Sequence, residues 1–326
     1  MLQRIMKPVR SVCLALQGGG ALGAFTWGIL DVFLRDGLRF EAISGASAGA
    51  VNAVVLADAL IEGDAAHARD KLSRVWRKLS NAFPLSGTLA VPAALAAFDM
   101  LPFPLSPARL NPFGLNPLRD VLDEEIDFAR LRRTSPVQLF ISATRVEDGR
   151  ARIFHTGEIT LEAVLASACV PQLQQAVEID GAAYWDGGYS ANPPLMEMVR
   201  ATRSPDVVVV ELTTPLPSNG ESRAKLIEKR LRDFALSAPL QRELDTLADL
   251  QRMCRADPAA RSRLAHRLRR LRLHRISAQT HLAAAIGPNA LDLNWTELRR
   301  LADSGGRIGE DWMRRELDAS RQGSRV

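Results

Sequence analysis

The sequence predicts an α/β protein built on a mainly parallel sheet, and three observations lead there. Short apolar runs that read as buried strands recur at Val12–Leu16, Phe40–Ile43, Val137–Thr144 and Val207–Leu212. The first two each run into a glycine-rich turn and then a longer apolar stretch of helical character, Ala24 to Asp36 and Val51 to Leu60. Strand–turn–helix repeated in this way is a βαβα pattern, and crossover helices join parallel strands rather than antiparallel ones. A chain of 326 residues with 47% hydrophobic content can bury a real core, as one large α/β domain or a domain with an extension.

Along the chain, the first strand ends in Gln17-Gly18-Gly19-Gly20-Ala21-Leu22-Gly23, and Gly37 stops the helix that follows. The second strand meets its helix at Gly45-Ala46-Ser47-Ala48-Gly49, and an amphipathic helix is expected near His67 to Leu79. Residues 81–117 then hold seven of the 18 prolines, interleaved with phenylalanine, leucine and valine. Proline at that density breaks a regular helix, yet the segment is too apolar for an ordinary solvated loop. It is expected either to pack on the core or to serve as an apolar, lipid-contacting lid. A helix is expected to start at Asn116, and hairpins turn at Glu147-Asp148-Gly149 and Asp180-Gly181, with a helix over Ile159–Ala168 between them. Past Pro215 the composition becomes helix-like and arginine-rich over 222–270. Arg272–Ser277 reads as one more strand, and Trp295–Leu317 as a helix broken at Ser304-Gly305-Gly306. The expected organisation is a core domain over 10–215 and a mostly helical, arginine-rich extension over 216–326. The extension either completes the sheet or forms a separate cap.

The net charge is +5. Only five lysines contribute, so the positive charge is almost all arginine. Genomic base composition accounts for this as well as attraction to an anionic partner does. The cluster Arg261, Arg263, Arg267, Arg269 and Arg270 is either the solvated face of a helix or a contact for anionic headgroups. A nucleic-acid binder is disfavoured, because no groove-reading motif is present and the cluster lacks interleaved aromatics. Three widely spaced cysteines, Cys13, Cys169 and Cys254, suit a reducing compartment and have no metal-ligand spacing. No apolar run reaches the roughly 20 residues of a membrane span. The expectation is a cytoplasmic protein with any membrane contact peripheral.

Three features carry the chemistry. Gly45-x-Ser47-x-Gly49 between a strand and a helix is the pattern of a nucleophile elbow, with a serine at the apex of a strained turn. The helix N-terminus behind Ser47 places partial positive charge where an oxyanion would form. Gly18-x-Gly20-x-x-Gly23 also fits a dinucleotide fingerprint, but that site needs an acidic residue ending the second strand. Here Glu41 stands near the strand's start and the elbow at its end, so the glycine run reads better as backbone donors for an oxyanion. Losing one such donor typically costs about 3–4 kcal/mol of transition-state stabilisation. For a base, His67, His266, His274 and His281 lie in charged or edge-like surroundings, and His155 merely follows a hairpin strand. Asp186 differs. It ends a strand carrying Tyr184 and Trp185, and Gly187-Gly188 behind it permit a tight turn; apolar shielding there would raise its pKa and make it a better base.

Gly18–Gly23, Gly45-Ala46-Ser47-Ala48-Gly49 and Asp186-Gly187-Gly188, in this order, resemble the patatin-like phospholipase family over roughly residues 10–215. The runs Ser167–Pro171 and Tyr184–Pro194 are similar to its bacterial members. The resemblance implies a three-layer α/β/α sandwich and a Ser–Asp dyad with neither histidine nor metal. It also implies calcium-independent hydrolysis of acyl esters in lipids, without a cofactor. Ser47 matches the nucleophile, Asp186 the general base, and Gly18, Gly19 and Gly20 the oxyanion loop. Many members carry Arg or Lys two residues after the third glycine, where this chain has Leu22. A lipid-binding protein without activity, an acyl thioesterase and a polyester depolymerase remain open as alternatives. Which lipid is cleaved and the oligomeric state are not set by the pattern.

Overall fold

A computed structural model describes residues 11–82, 116–212, 223–257, 259–278 and 292–322. The strands are β1 (Ser11–Leu16), β2 (Arg39–Gly45), β3 (Gln138–Arg145), β4 (Ala151–His155), β5 (Val177–Ile179), β6 (Ala182–Asp186), β7 (Asp206–Glu211) and β8 (Arg272–Ser277). They form one sheet in the order β5-β6-β3-β2-β1-β7-β8, with β4 paired to β3. The run β3-β2-β1-β7-β8 is parallel throughout, while β4, β5 and β6 are antiparallel additions at one end.

The sheet is covered on both faces, and β1 shows why. Successive strand side chains point to opposite faces, and every one from Val12 to Leu16 is buried. Val12, Leu14 and Leu16 join a core built with α1 (Gly23–Arg35), α2 (Ala48–Glu62), α3 (Ala65–Ala82) and α10 (Trp295–Gln322). Cys13 and Ala15 face the other way, onto α7 (Leu195–Ala201), α8 (Arg223–Ala256) and α9 (Arg263–Arg270). The result is the three-layer α/β/α sandwich. In sequence, the smaller helices α4 (Pro117–Glu125) and α5 (Phe128–Thr134) precede β3, and α6 (Leu161–Ser167) lies between β4 and β5.

Two expectations change. Ser304-Gly305-Gly306 does not break the last helix, since α10 runs unbroken through it. These glycines mark a close helix crossing instead: a Cβ on Gly305 would lie 2.0 Å from the Phe25 carbonyl oxygen, and one on Gly28 would lie 1.8 Å from that of Ala302. Trp27 stacks on Trp295 with ring centres 5.9 Å apart, and Phe33 meets Trp312 at 5.1 Å, along the same crossing. The arginine cluster is also not simply a solvated face. Arg267 is buried and donates to the Ser204 carbonyl and to the Thr202 hydroxyl, and Arg269 donates to the Ala260 carbonyl. The proposed lid falls within residues 83–115 for all but its ends, outside the described residues.

The helix that follows Ser47 is anchored from below by ions. Lys71, 1% exposed, donates to Asp58 of α2 at 2.5 Å and to Glu62 at 2.7 Å. Arg130 of α5 bridges the same two carboxylates at 2.9 and 2.7 Å. A buried cluster of this kind holds only because each charge has partners. The three hydrogen bonds to Glu62, from Lys71, His67 and Arg130, outweigh its desolvation and bring its carboxyl down to about 2.

Candidate active site

The glycine loop, the elbow and the Asp-Gly-Gly turn meet at the sheet. β1 and β2 are parallel neighbours, so the turns leaving their C-terminal ends emerge side by side. That is where open parallel sheets place their ligand sites. Asp186 ends β6, across from Ala143 of β3. Gly23 opens α1, Gly45 closes β2, Gly49 lies in the first turn of α2, and Gly187 and Gly188 form the single 3-10 turn after β6.

Ser47 has φ 52° and ψ −124°, a conformation L-residues rarely adopt, and it is half-buried. The turn is tight because β2 and α2 nearly touch β1: a Cβ on Gly49 would lie 2.1 Å from the Leu16 carbonyl oxygen, so only glycine fits. The Ser47 N–H donates to the Ser167 side chain at 3.0 Å and to the Ser167 carbonyl at 3.2 Å, which ties the strained turn to α6. Strain of this sort survives only where the surroundings over-determine it.

The Asp186 carboxyl, 4% exposed, accepts a hydrogen bond from the Gly188 N–H at 2.7 Å and lies beside the Ser47 hydroxyl. Burial pushes its pKa up to about 6, against the lowering effect of the Gly188 N–H and the Ser47 hydroxyl. The Thr144 hydroxyl donates to the Asp186 carbonyl at 2.7 Å and fixes the strand end from behind. A carboxylate tuned to this range and placed beside a hydroxyl is suited to take that hydroxyl's proton at neutral pH.

The glycine loop lies against Ser47, with the position of a Gly18 Cβ only 2.8 Å from the Ser47 Cβ. Its three N–H groups are not equivalent. Gly18 donates at 2.7 Å to Oδ1 of Asn192, which is buried, so that donor is engaged. Among the described residues no partner meets the N–H of Gly19 or Gly20. Gly19 is half-buried and Gly20 exposed, so both can reach a ligand. Leu22 is buried, 5% exposed, and belongs to the core beneath the loop.

Asn192 also donates through Nδ2 to the Leu236 carbonyl of α8 at 2.8 Å. It therefore spans from the glycine loop to a helix of the C-terminal third. Ser167 and Asn192 lie inside the two runs similar to bacterial patatin-like proteins, but spacing alone gave neither a role; an i-to-j distance of 120 or 174 residues leaves no periodic signal.

Three of the described histidines pair with carboxylates elsewhere. His67 bonds Glu62 at 3.0 Å, His274 bonds Asp206 at 2.8 Å, and His155 lies 3.8 Å from Glu197. His281 is outside the described residues. Glu41, the residue a dinucleotide site would have used, accepts from the N–H groups of Arg203 and Ser204 at 2.8 and 2.5 Å. Among the described residues no group of His, Cys, Asp and Glu gathers as metal ligands. None of the described helices is long and apolar enough to cross a membrane.

A parallel α/β/α sandwich with a strained serine at a strand–helix turn and a buried aspartate beside its hydroxyl defines a hydrolase-like class of site. The family model for patatin-like phospholipases matches residues 14–199, and this chain belongs to that family. Lipid acyl hydrolysis is the activity the family implies. No curated protein matches the chain. Among solved structures, VipD from Legionella pneumophila matches with 14% identity and a TM-score of 0.43, covering 93% of this chain and 66% of that one. The ExoU–SpcU complex from the type III secretion system of Pseudomonas aeruginosa matches with 16% identity and a TM-score of 0.39, covering 95% and 52%. The chain thus spans between about half and two-thirds of the length of the solved chains it matches.

Proposed function

We propose that this protein hydrolyses acyl esters of lipids, in the manner of a phospholipase A or lysophospholipase, through a Ser47–Asp186 dyad. The observation that carries the reading is a buried carboxyl, its pKa raised to about 6, beside the hydroxyl of a serine held in a strained strand–helix turn. Asp186 accepts the hydroxyl proton as Ser47 Oγ attacks the ester carbonyl, and the Gly19 and Gly20 N–H groups donate to the oxyanion. Asp186 then returns the proton to the leaving alcohol. A water that loses its proton to Asp186 attacks the acyl-serine, and the fatty acid departs as Ser47 regains its hydrogen. With Leu22 uncharged, the oxyanion relies on backbone donors alone. The described cysteines are all free, which suits an enzyme of a reducing compartment.

The test is covalent. A fluorophosphonate probe is expected to label the protein once, on the peptide that carries Ser47, as read by mass spectrometry after digestion. Labelling of a different residue, or none, would remove the dyad. A panel of phospholipid, lysophospholipid, acyl thioester and aliphatic polyester then ranks the substrate classes.

Asn192 is a positioning residue in this scheme. Asn192→Ala is expected to lower kcat about tenfold to a hundredfold with KM little changed, because the Gly18 N–H loses the acceptor that sets the loop. Asn192→Asp retains an acceptor for Gly18 but no donor for Leu236, so it should restore part of kcat. Equal kcat in wild type and Asn192→Ala would reduce the residue to a structural tie.

A further inference from the structure

The four large apolar side chains that stand exposed among the described residues all fall on α8, and three of them gather near its start: Ile227, Leu231 and Phe234, at 52%, 63% and 53%, with Met253 near its far end. Spacings of four and three place the first three within an arc of about 60° on the helix surface. The inner face of the same helix is already satisfied, with Leu240, Leu244 and Leu247 buried against the sheet. This outer stripe therefore contributes nothing to the core. We propose that it docks the protein onto an anionic lipid surface, an inference that rests on the lipid-hydrolase reading for its purpose but not for its evidence.

Charge selects the partner. Residues 223–234 contain five basic residues (Arg223, Lys225, Lys229, Arg230, Arg232) against Glu228 and Asp233, a net of three positive charges in twelve residues. The whole chain carries only +5. The Arg230 guanidinium lies 4.8 Å from the centre of the Phe234 ring, so a cation and an apolar wedge are presented together. A helix of this composition lies in the headgroup region with its apolar side chains in the acyl boundary and its basic ones on the phosphates. A second copy of the chain fits less well. Three side chains expose far less than the roughly 1,200 Å² that a specific dimer buries, and two such faces would repel.

The stripe is also next to the site. Leu236, two residues past Phe234, touches the Asp-Gly-Gly turn, since a Cβ on Gly188 would lie 3.1 Å from its Cδ2. Its carbonyl holds Asn192, which holds Gly18. A bilayer resting on the outer face of α8 is thereby brought alongside the turns that carry Ser47 and Asp186. Of the arginines expected from sequence to face headgroups, Arg267 is buried and bonded to Ser204 and Thr202, and Arg269 donates to the Ala260 carbonyl.

Flotation with vesicles of phosphatidylcholine, alone or mixed with phosphatidylglycerol, tests this on full-length Ser47→Ala protein, so that binding is read without hydrolysis. The protein is expected to float with the mixed vesicles, and less so as salt rises. The triple variant Ile227→Glu/Leu231→Glu/Phe234→Glu should lose at least about tenfold in partition. The corresponding triple alanine variant preserves helix propensity and should also lose binding, which covers a folding failure of the first. With Ser47 intact, both triple variants should hydrolyse a water-soluble short-chain ester at the wild-type rate. Failure of that hydrolysis in wild type, with vesicle binding and its loss as expected, would remove the enzyme reading and leave the surface standing. Absence of binding in the unmodified stripe, binding unchanged by both triple variants, or a shift from dimer to monomer with vesicle binding unaltered would each overturn the proposal.

Discussion

Ser47→Ala and Asp186→Asn are each expected to lower kcat on a phospholipid or a soluble ester by about 10⁴-fold or more, and the double variant to lose little beyond the single ones. Groups that act as one proton-transfer unit are non-additive, because once the hydroxyl cannot be deprotonated its base has nothing left to do. Additive losses would mean that the two residues act separately. The same pair predicts the pH profile. With the carboxyl at about 6, kcat/KM should be flat above neutrality and fall with unit slope below that value. Stability should run the other way. A carboxyl whose folded pKa is raised above its unfolded value of 3.8 stabilises the fold fully below the latter and loses that contribution as pH rises through about 6. At pH 7 the buried charge is therefore a cost of about 3 kcal/mol. Asp186→Asn, which retains an acceptor for the Gly188 N–H, is expected to be the more stable protein at pH 7 while being nearly inactive. Thermal melts of the two proteins at pH 4 and pH 7 check this: the gap should be wide at pH 7 and nearly closed at pH 4.

The second large effect is on the fold. Gly28→Ala is expected to destabilise the protein by about 3 kcal/mol, the upper part of what overpacking usually costs. Its new methyl would lie 1.8 Å from a backbone oxygen of α10, which has no rotamer by which to yield. Gly305→Ala, at 2.0 Å from the Phe25 carbonyl, should behave alike from the opposite side of the crossing. Gly306→Ala is the control. Its nearest neighbours lie 3.8 and 3.9 Å away, so the gain in helix propensity should leave it neutral or up to about 1 kcal/mol more stable. Urea unfolding midpoints at constant slope measure all three. Comparable losses at 305 and 306 would mean that the close crossing is not what these glycines serve.

Much of this was legible in the sequence, for identifiable reasons. β1, β2 and α2 follow from local patterns: apolar runs of strand length, a glycine-rich turn, and helix immediately after. The convergence of Gly18–Gly23, Ser47 and Asp186 was legible because three short motifs occur in order. The engaged state of Gly18 was not, because the acceptor, Asn192, is 174 residues away and chemically unremarked. Gly305-Gly306 misled because glycine lowers helix propensity, and only the position of α1 shows why it is there. The arginine cluster misled in another way, since composition counts a charge without saying whether a carbonyl or carboxylate has taken it. The helix Phe128–Thr134 and the helix Leu195–Ala201 were too short to leave a periodic signal.

The position of β8 has a consequence for how the chain is made. Val207 to Val210 of β7 are buried, and β8 covers their outer edge by parallel pairing from Asp206↔Arg272 to Glu211↔Ser277. Every residue assigned to the site, from Gly18 to Asn192, leaves the ribosome before that cover exists. For the interval in which residues 212–271 are synthesised, four consecutive valines present an open row of peptide N–H and C=O groups, the template on which nascent chains pair with one another. A chain stopped after β7 would hold both members of the proposed dyad and still be prone to aggregate. The last third of the sequence thus acts on the solubility of the first two-thirds.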